Sequence, residues 1–378
     1  VSVRPRASLL IGVLIAVSAC TGSGSTAAPS TASSAAPTTA ATSGASPSDA
    51  APSAAAGAFT YKDGVLQPLA DGFPNKPIVM LNGDDPGSDD GIYIRELQAI
   101  LKSVSPVALE VSDKPGPQFG MWTMTAEMND TEDGKAGYQP AVAAFTGGAL
   151  DLITSPVKRD LGLELKDINP VIATEKVPFV IATRADAPWQ TWQEFVDYGK
   201  ANPSKVKYLA RVGSQLDIAA SRLFAESGIT VTKIAGGSTT EIGTALGAGA
   251  GDVAALLPGT ALPHFQAGKE RILLVIGDQA PAPWTDAATT TSIGLKDEPW
   301  GTVRGFIVPA AVPEEHRLWL AELFRKATES DAYKQRNQAV PGLAVVNYDK
   351  QQVLDTMQNA LTFGEPVIRE LKLAWDQQ

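Results

Sequence analysis

The chain has 378 residues, 44% of them hydrophobic, with 31 Lys and Arg against 41 Asp and Glu and a formal net charge of −10. That acidic balance leaves no basic surface for general nucleic-acid binding, and the length accommodates a sizeable core divided between two domains. One cysteine, Cys20, rules out an intrachain disulfide and a Cys-based zinc site, and two histidines far apart in sequence, His264 and His316, are poor material for metal chemistry.

In chain order, the first readable feature concerns export. Arg4 and Arg6 form a charged start and residues 9–17 an apolar run too short to span a bilayer. The tetrad Val17-Ser18-Ala19-Cys20 closes this run, and its small residues permit cleavage before the cysteine. The tetrad resembles the lipobox of bacterial lipoproteins. That likeness implies loss of a signal peptide over 1–19, acylation of the Cys20 sulfur by fatty acids such as palmitate, and anchoring to the outer face of the cell membrane. Residues 21–57 are almost entirely Ala, Ser, Thr, Gly and Pro, with Asp49 the lone charge. Such a stretch has little apolar surface to offset the entropy of ordering it, so residues 20–58 read as lipidated cysteine and tether.

The body begins near Phe59. An apolar run at 77–81 reads as a strand, the Gly/Asp-rich turn at 83–91 as a loop, and 92–101 as a helix. A second strand is expected at 106–111, a helix at 122–128 and a short buried element at 141–145. Two apolar runs surround Lys176, the second of them a buried strand at 178–182. Thr191 with Glu194 three residues later marks a helix start. Strand, Gly-rich turn and helix then recur twice, at 206–210 leading into 216–227 and at 230–234 leading into 239–246. Strands at 252–256 and 272–277 flank a connection containing His264. A returning strand at 304–309 precedes an amphipathic helix with Leu318, Leu320, Leu323 and Phe324, and terminal helices are expected at 351–361 and 365–375. The alternation predicts an α/β layered body.

Several segments carry a family likeness. Phe73-Pro74-Asn75-Lys76-Pro77-Ile78, the run Pro86-Gly87-Ser88-Asp89-Asp90-Gly91-Ile92-Tyr93-Ile94-Arg95, and Val111-Ser112-Asp113-Lys114-Pro115-Gly116 occur in that order. They are followed by Trp189-Gln190-Thr191-Trp192-Gln193-Glu194-Phe195, by the Gly213-Ser214 and Gly236-Gly237 turns, and by Ala267-Gly268-Lys269-Glu270-Arg271-Ile272. Order and wording together resemble the substrate-binding proteins of tripartite tricarboxylate transporters, the TctC or Bug family. The resemblance implies a two-domain periplasmic-binding-protein type II fold with a hinged interdomain cleft, domain 1 over 59–172 and 286–378 and domain 2 over 173–285. It further implies a monomeric, non-enzymatic receptor that needs no cofactor and no metal. Such a receptor delivers a small carboxylate-bearing solute to a permease of one large and one small integral-membrane subunit. A ligand-sensing or cell-envelope binding lipoprotein without transport duty stays open beside it.

Loops that open into helices gather unpaired backbone N–H groups, which suit a carboxylate. The candidate ligand-binding residues are therefore Ser88, Asp89 and Asp90 in the first loop, Arg211, Gly213 and Ser214 in the second, and Gly236, Gly237 and Ser238 in the third. The first loop departs from the family pattern, since Gly91 occupies its customary acidic position. Asp89 and Asp90 must then be protonated, turned away or paired if an anion is to bind. Gln215 follows Gly213-Ser214 where many relatives have His. His264 has no Ser or Cys partner that the sequence can supply, and neither Gly-rich turn matches a phosphate-binding motif.

Overall fold

The computed structural model describes residues 59–115, 120–295 and 300–377. The expected signal peptide, Cys20 and the tether lie outside the described residues. A hairpin of β1 (Tyr61–Lys62) and β2 (Val65–Leu66) precedes two six-stranded sheets. The first sheet runs β14 (Ala344–Tyr348), β6 (Ile168–Val177), β13 (Thr302–Pro309), β5 (Ala141–Ala144), β3 (Ile78–Asn82), β4 (Leu109–Asp113). The second runs β12 (Ala288–Thr289), β11 (Glu270–Ile276), β7 (Phe179–Arg184), β10 (Val253–Leu256), β8 (Lys207–Ala210), β9 (Thr232–Ala235). Each is mixed: β3 lies parallel to β4 and β5, and β8 to β9 and β10, while β13 and β7 run antiparallel to both of their neighbours.

Period-two alternation along the strands explains why both faces of each sheet are covered. In the first sheet Met80, Val142, Phe306 and Val308 pack with α1 (Asp89–Leu101) and α10 (Glu314–Glu329). Their neighbours Leu81, Ala141, Ala143 and Ile307 pack on the opposite side with α2 (Gly120–Asn129), α4 (Phe145–Thr154) and α12 (Lys350–Glu370). In the second sheet Val180, Ala182, Ala254 and Leu256 meet α8 (Thr239–Gly247) and α9 (Pro258–Gln266). Phe179, Ile181, Val253 and Ala255 face α6 (Trp192–Ala201) and α7 (Gln215–Glu226). Short helices α3 (Glu132–Lys135), α5 (Val157–Leu161) and α11 (Asp331–Ala339) complete the set.

The chain leaves the first sheet at Pro178, between β6 and β7, and returns as β13. Proline has no N–H to donate, so neither ladder continues through position 178. Thr302 pairs with Val177, which puts the two crossings side by side. A Cβ on Gly301 would stand 3.0 Å from the Val177 carbonyl oxygen, so the crossing needs a residue without a side chain.

The α/β reading holds, and the capping box of Thr191 and Glu194 starts α6 as its spacing predicts. Differences lie where glycine or proline conceals a helix. The element expected at 141–145 is strand β5 followed at once by α4, whose Gly147 and Gly148 lower its propensity. A Cβ at Gly148 would meet the tip of the Met121 side chain, which fills the space beside it. The connection around His264 is helix α9, with Pro258 at its start and Pro263 inside. One helix, α12, stands where two were expected. Gly364 is its point of closest approach to α4, where a side chain would collide with Leu150, and that packing carries the helix through Pro366.

Glu270, at the head of β11, is 3% exposed, and neither carboxylate oxygen has a hydrogen-bond partner among the described residues. Burial pushes its carboxyl from an ordinary 4.5 up to about 8. The folded chain thus holds this proton more tightly than the unfolded chain. Its contribution is fully present below the unfolded value and is lost as pH rises through the folded one. Replacing Glu270 by Gln removes the dependence. In urea denaturation the stability difference between variant and parent should move in the variant's favour by about 2–4 kcal/mol from about pH 5 to about pH 8.

Candidate functional site

Residues just beyond β3, β5 and β8 border one cavity of about 600 Å³, a volume suited to a small solute. Gly83 and Asp84 follow β3, Ala144 closes β5, and Arg211, Val212 and Gly213 follow β8. Four helices begin at its wall: α1 contributes Asp90, α2 Gly120 and Met121, α4 Gly147, Gly148 and Asp151, and α7 Gln215 beside its cap Ser214. Ligands collect at the carboxyl ends of strands in α/β sheets because helix N-termini, with their unpaired N–H groups, converge there. Close backbone contact makes this geometry possible, since a Cβ on Gly83 would come within 2.7 Å of the Gly120 carbonyl oxygen.

The helix starts differ in what is already bound to them. Ser214 Oγ accepts from the Asp217 amide at 3.3 Å, and Asp217, itself fully buried, accepts from the Gly213 amide at 2.9 Å and pairs with Lys233 at 2.6 Å. Gly213 has φ +79°, a left-handed conformation suited to glycine, so the loop before α7 is held rigidly from beneath. In contrast, α4 starts after Ala144 with no side-chain cap. Gln215 ties the two sheets together: Thr146 Oγ1 donates to its Oε1 at 2.9 Å, and its Nε2 donates to Thr302 Oγ1 at 2.7 Å.

Of the residues expected to bind ligand, Asp90, Arg211, Gly213 and Ser214 line this cavity, whereas Ser88, Asp89, Gly236, Gly237 and Ser238 do not. Helix α1 starts earlier than the expected 92, so Asp89 and Asp90 lie in its first turn rather than in a loop. Ser88 is the N-cap; its Oγ accepts from the Gly91 amide at 3.1 Å and donates to the Asp85 carbonyl at 2.7 Å, which uses the hydroxyl internally. Ser238 caps α8 in a reciprocal box with Glu241, and a side chain at Gly237 would strike the Glu241 carboxylate. The first turn of α8 meets the start of α1 instead. Thr239 Oγ1 donates to Asp89 at 2.6 Å, Thr260 Oγ1 donates to the same carboxylate at 3.1 Å, and Thr240 Oγ1 donates to the Gly87 carbonyl at 3.2 Å.

The two acidic residues that the sequence left in question are therefore both partnered. Asp90 meets Arg304 at 2.8 Å, and Arg304 also reaches Glu175 at 2.8 Å. Burial pushes the Asp90 carboxyl up while Arg304 draws it down. Burial opposes the charge on Arg304, yet Asp90 and Glu175 hold the guanidinium above its ordinary range. Arg211 bonds Asp84 at 3.3 Å across the cavity mouth. Asp151 was not anticipated. Burial pushes its carboxyl up to about 7 against the pull of Arg211. The sequence signal missed here was a Gly-Gly pair ahead of an apolar helix, and for Arg304 it was a lone charge in an apolar strand.

A second cavity of about 440 Å³ adjoins Asp89, Glu175, Arg304 and Arg336 and is lined largely by apolar side chains such as Ile92, Leu257 and Leu343. His264 lies on its wall. His316 is structural: it stacks on Phe73 at 3.9 Å and pairs with Asp71. Among the described residues no group of three His, Cys, Asp or Glu side chains is placed to hold a metal ion, and no helix is long and apolar enough to cross a membrane.

Comparison with known proteins places this architecture. The profile of the tripartite tricarboxylate transporter family receptor matches residues 144–373. A UPF0065 protein of Bordetella pertussis is 23% identical over 309 residues, covering 80% of this chain and 92% of that protein. MatC of Rhodopseudomonas palustris, solved with bound malate, superposes with a TM-score of 0.66 at 18% identity over 78% of this chain and 100% of the other. An R. palustris protein solved with adipate gives a TM-score of 0.70 at 15% identity, over 79% and 97%. At these identities the structural likeness establishes a shared periplasmic-binding-protein fold.

Removing Arg304 tests the network behind the cavity. Arg304→Met leaves Asp90 and Glu175 without their shared guanidinium, and loss of one member of a buried charge group costs about 3–5 kcal/mol. Thermal or urea denaturation of the variant should record a loss of that order.

Proposed function

This chain belongs to the tripartite tricarboxylate transporter receptor family, and on that premise we propose that it captures a small carboxylate-bearing solute in the 600 Å³ cavity and presents it to a membrane permease. The observation that carries the reading is the convergence of four helix starts and Arg211 on one cleft. An anion transferred from water loses strong hydration, and the protein must replace it. Hydrogen bonds to a charged group contribute about 1.5–3 kcal/mol each, and a helix N-terminus adds about 0.3–2 kcal/mol. The α4 start lacks a side-chain cap and can supply such bonds; Arg211 adds a charge-assisted bond from the second sheet. Malate and adipate in the related structures are consistent with a carboxylate as the recognised group.

Family membership makes the protein a receptor rather than an enzyme, exported from the cytoplasm. The mechanism follows from two bodies joined by crossing strands. The sequence division, 59–172 with 286–378 against 173–285, cuts through β6 and gives β12 to the wrong sheet, so we move the two divisions, and the bending, to the Val177–Pro178 and Gly301–Thr302 crossings. Solute shifts the population toward the closed form by as much as it prefers that form, through contacts made to both bodies at once. The permease partner, one large and one small integral-membrane subunit, and the lipid anchor at Cys20 complete the proposal. The anchor rests on the Val17-Ser18-Ala19-Cys20 tetrad.

Two measurements test this reading. Calorimetric titration with mono-, di- and tricarboxylates should give one-to-one binding that is lost with the corresponding amides. Arg211→Ala should weaken it by about tenfold or more. No heat from any acid with folded protein rejects carboxylate capture. For the anchor, Cys20→Ser should move the protein from the membrane fraction to the soluble fraction of fractionated cells; retention in the membrane rejects lipid attachment at that residue.

A further inference from the structure

Among the described residues, each charged side chain lining the cavity other than Asp151 already has a charged partner. Asp84 is bound to Arg211 at 3.3 Å and Asp90 to Arg304 at 2.8 Å, while Arg159 bonds Asp160 at 2.6 Å. Asp151 accepts no side-chain hydrogen bond and joins no ion pair among the described residues, although it lies on the cavity wall. We infer that Asp151 receives a cationic group of the solute, so that the ligand is an amino-bearing carboxylate rather than a plain di- or tricarboxylate. This inference rests on the reading of the cavity as a carboxylate site.

Charge and spacing both favour it. Asp84, Asp90 and Asp151 face the space against Arg159 and Arg211. A second carboxylate on a ligand would meet Asp151 as a like charge, and an ammonium reverses that sign. Asp151 lies one turn along α4 from Gly147, roughly 6 Å at the helical rise per residue. A solute of a few carbons can therefore lay its carboxylate at the head of α4 and its ammonium on Asp151. The first half of α4 carries the Phe145-Thr146-Gly147-Gly148 run; Gly147 and Gly148 line the cavity together with Asp151, with the Gln215 and Met121 side chains packed against them.

The protonation behaviour gives the inference a second, independent handle. The groups that share the space with Asp151 are Arg211 beyond β8, Asp84 and Asp90 at the start of α1, and Arg159 on α5, whereas α2 and α7 present Met121 and Gln215, which do not titrate. Arg211 is the one that draws the Asp151 carboxyl down, and burial outweighs it, leaving the group near 7. An ammonium needs the ionised form, so an amino-bearing acid should bind about tenfold more tightly at about pH 8 than at about pH 6. An acid without nitrogen should weaken over the same interval, because ionised Asp151 repels it.

The test is calorimetric titration of the full chain with matched pairs that differ by one amino group: L-aspartate against succinate, L-glutamate against glutarate, and L-leucine against 4-methylpentanoate. The expected result is at least tenfold tighter binding for the amino member of one pair, with affinity rising from pH 6 to pH 8. Asp151→Asn should then erase both the preference and the pH slope. Equal or tighter binding of the amino-free member, with affinity that falls or stays level as pH rises, overturns the assignment while leaving carboxylate capture in place. Binding of neither member of any pair, nor of any tricarboxylate, overturns both. If Asp151→Asn does not fold, the pair comparison and pH profile of the parent protein decide the matter alone.

Discussion

Arg304 is the residue around which the crossing strands of the first sheet and the start of α1 are arranged. It lies on β13, the returning crossing strand, and is 4% exposed. From there it reaches Glu175 on β6, the outgoing crossing, and Asp90 in the first turn of α1. Arg336 takes the second oxygen of Glu175 from α11, and the ring of Tyr93 has both guanidiniums 5.3 Å from its centroid. Burying charges costs several kcal/mol per ion, so a group of this kind persists only where each charge finds a partner. Its structural yield is registration. One guanidinium fixes the two crossing strands against each other and sets the rotation of α1, which decides that Asp90 turns inward.

The acidic start of α1 is tolerable for the same reason. Two adjacent carboxylates beside an anion site would repel a ligand if both faced it. Asp90 is neutralised by Arg304 from within the core, and Asp89 points to the other sheet, where Thr239 and Thr260 hold it. Gly91 has no room for a side chain, since a Cβ there would lie 2.5 Å from the Pro86 carbonyl oxygen. The adjacent acid, Asp90, borders the cavity with its charge held by Arg304.

What the sequence revealed and what it concealed divide by distance along the chain. Strand alternation and the Thr191 box depend on residues within four positions, so local pattern sufficed to find them, whereas Ser88, Ser214 and Ser238, read from sequence as ligand residues, cap helices. Helices α4, α9 and α12 contain glycine or proline, and local propensity pointed away from them. Arg304 gave only the signal of a lone charge in an apolar strand, which the reading missed, and its partner Glu175 is 129 residues away. For Asp151 the one cue was the Gly-Gly pair ahead of it, on a helix face that the sequence reading left unassigned.

Three Gly/Ser turns appeared equivalent as anion sites in the sequence, and packing makes them unequal. The start of α8 is already filled: the Asp89 carboxylate accepts from Thr239 in its first turn, much as a ligand carboxylate would. The α1 start is closed by the Ser88 cap and its own acidic pair. What remains for a solute is the edge of α7, stiffened by buried Asp217, and the uncapped start of α4, which the sequence did not offer at all. An anion goes where helix amides are still unspent, so the chemistry of this cleft is governed less by which residues are glycine or serine than by which helix ends the protein has left without a carboxylate or hydroxyl of its own.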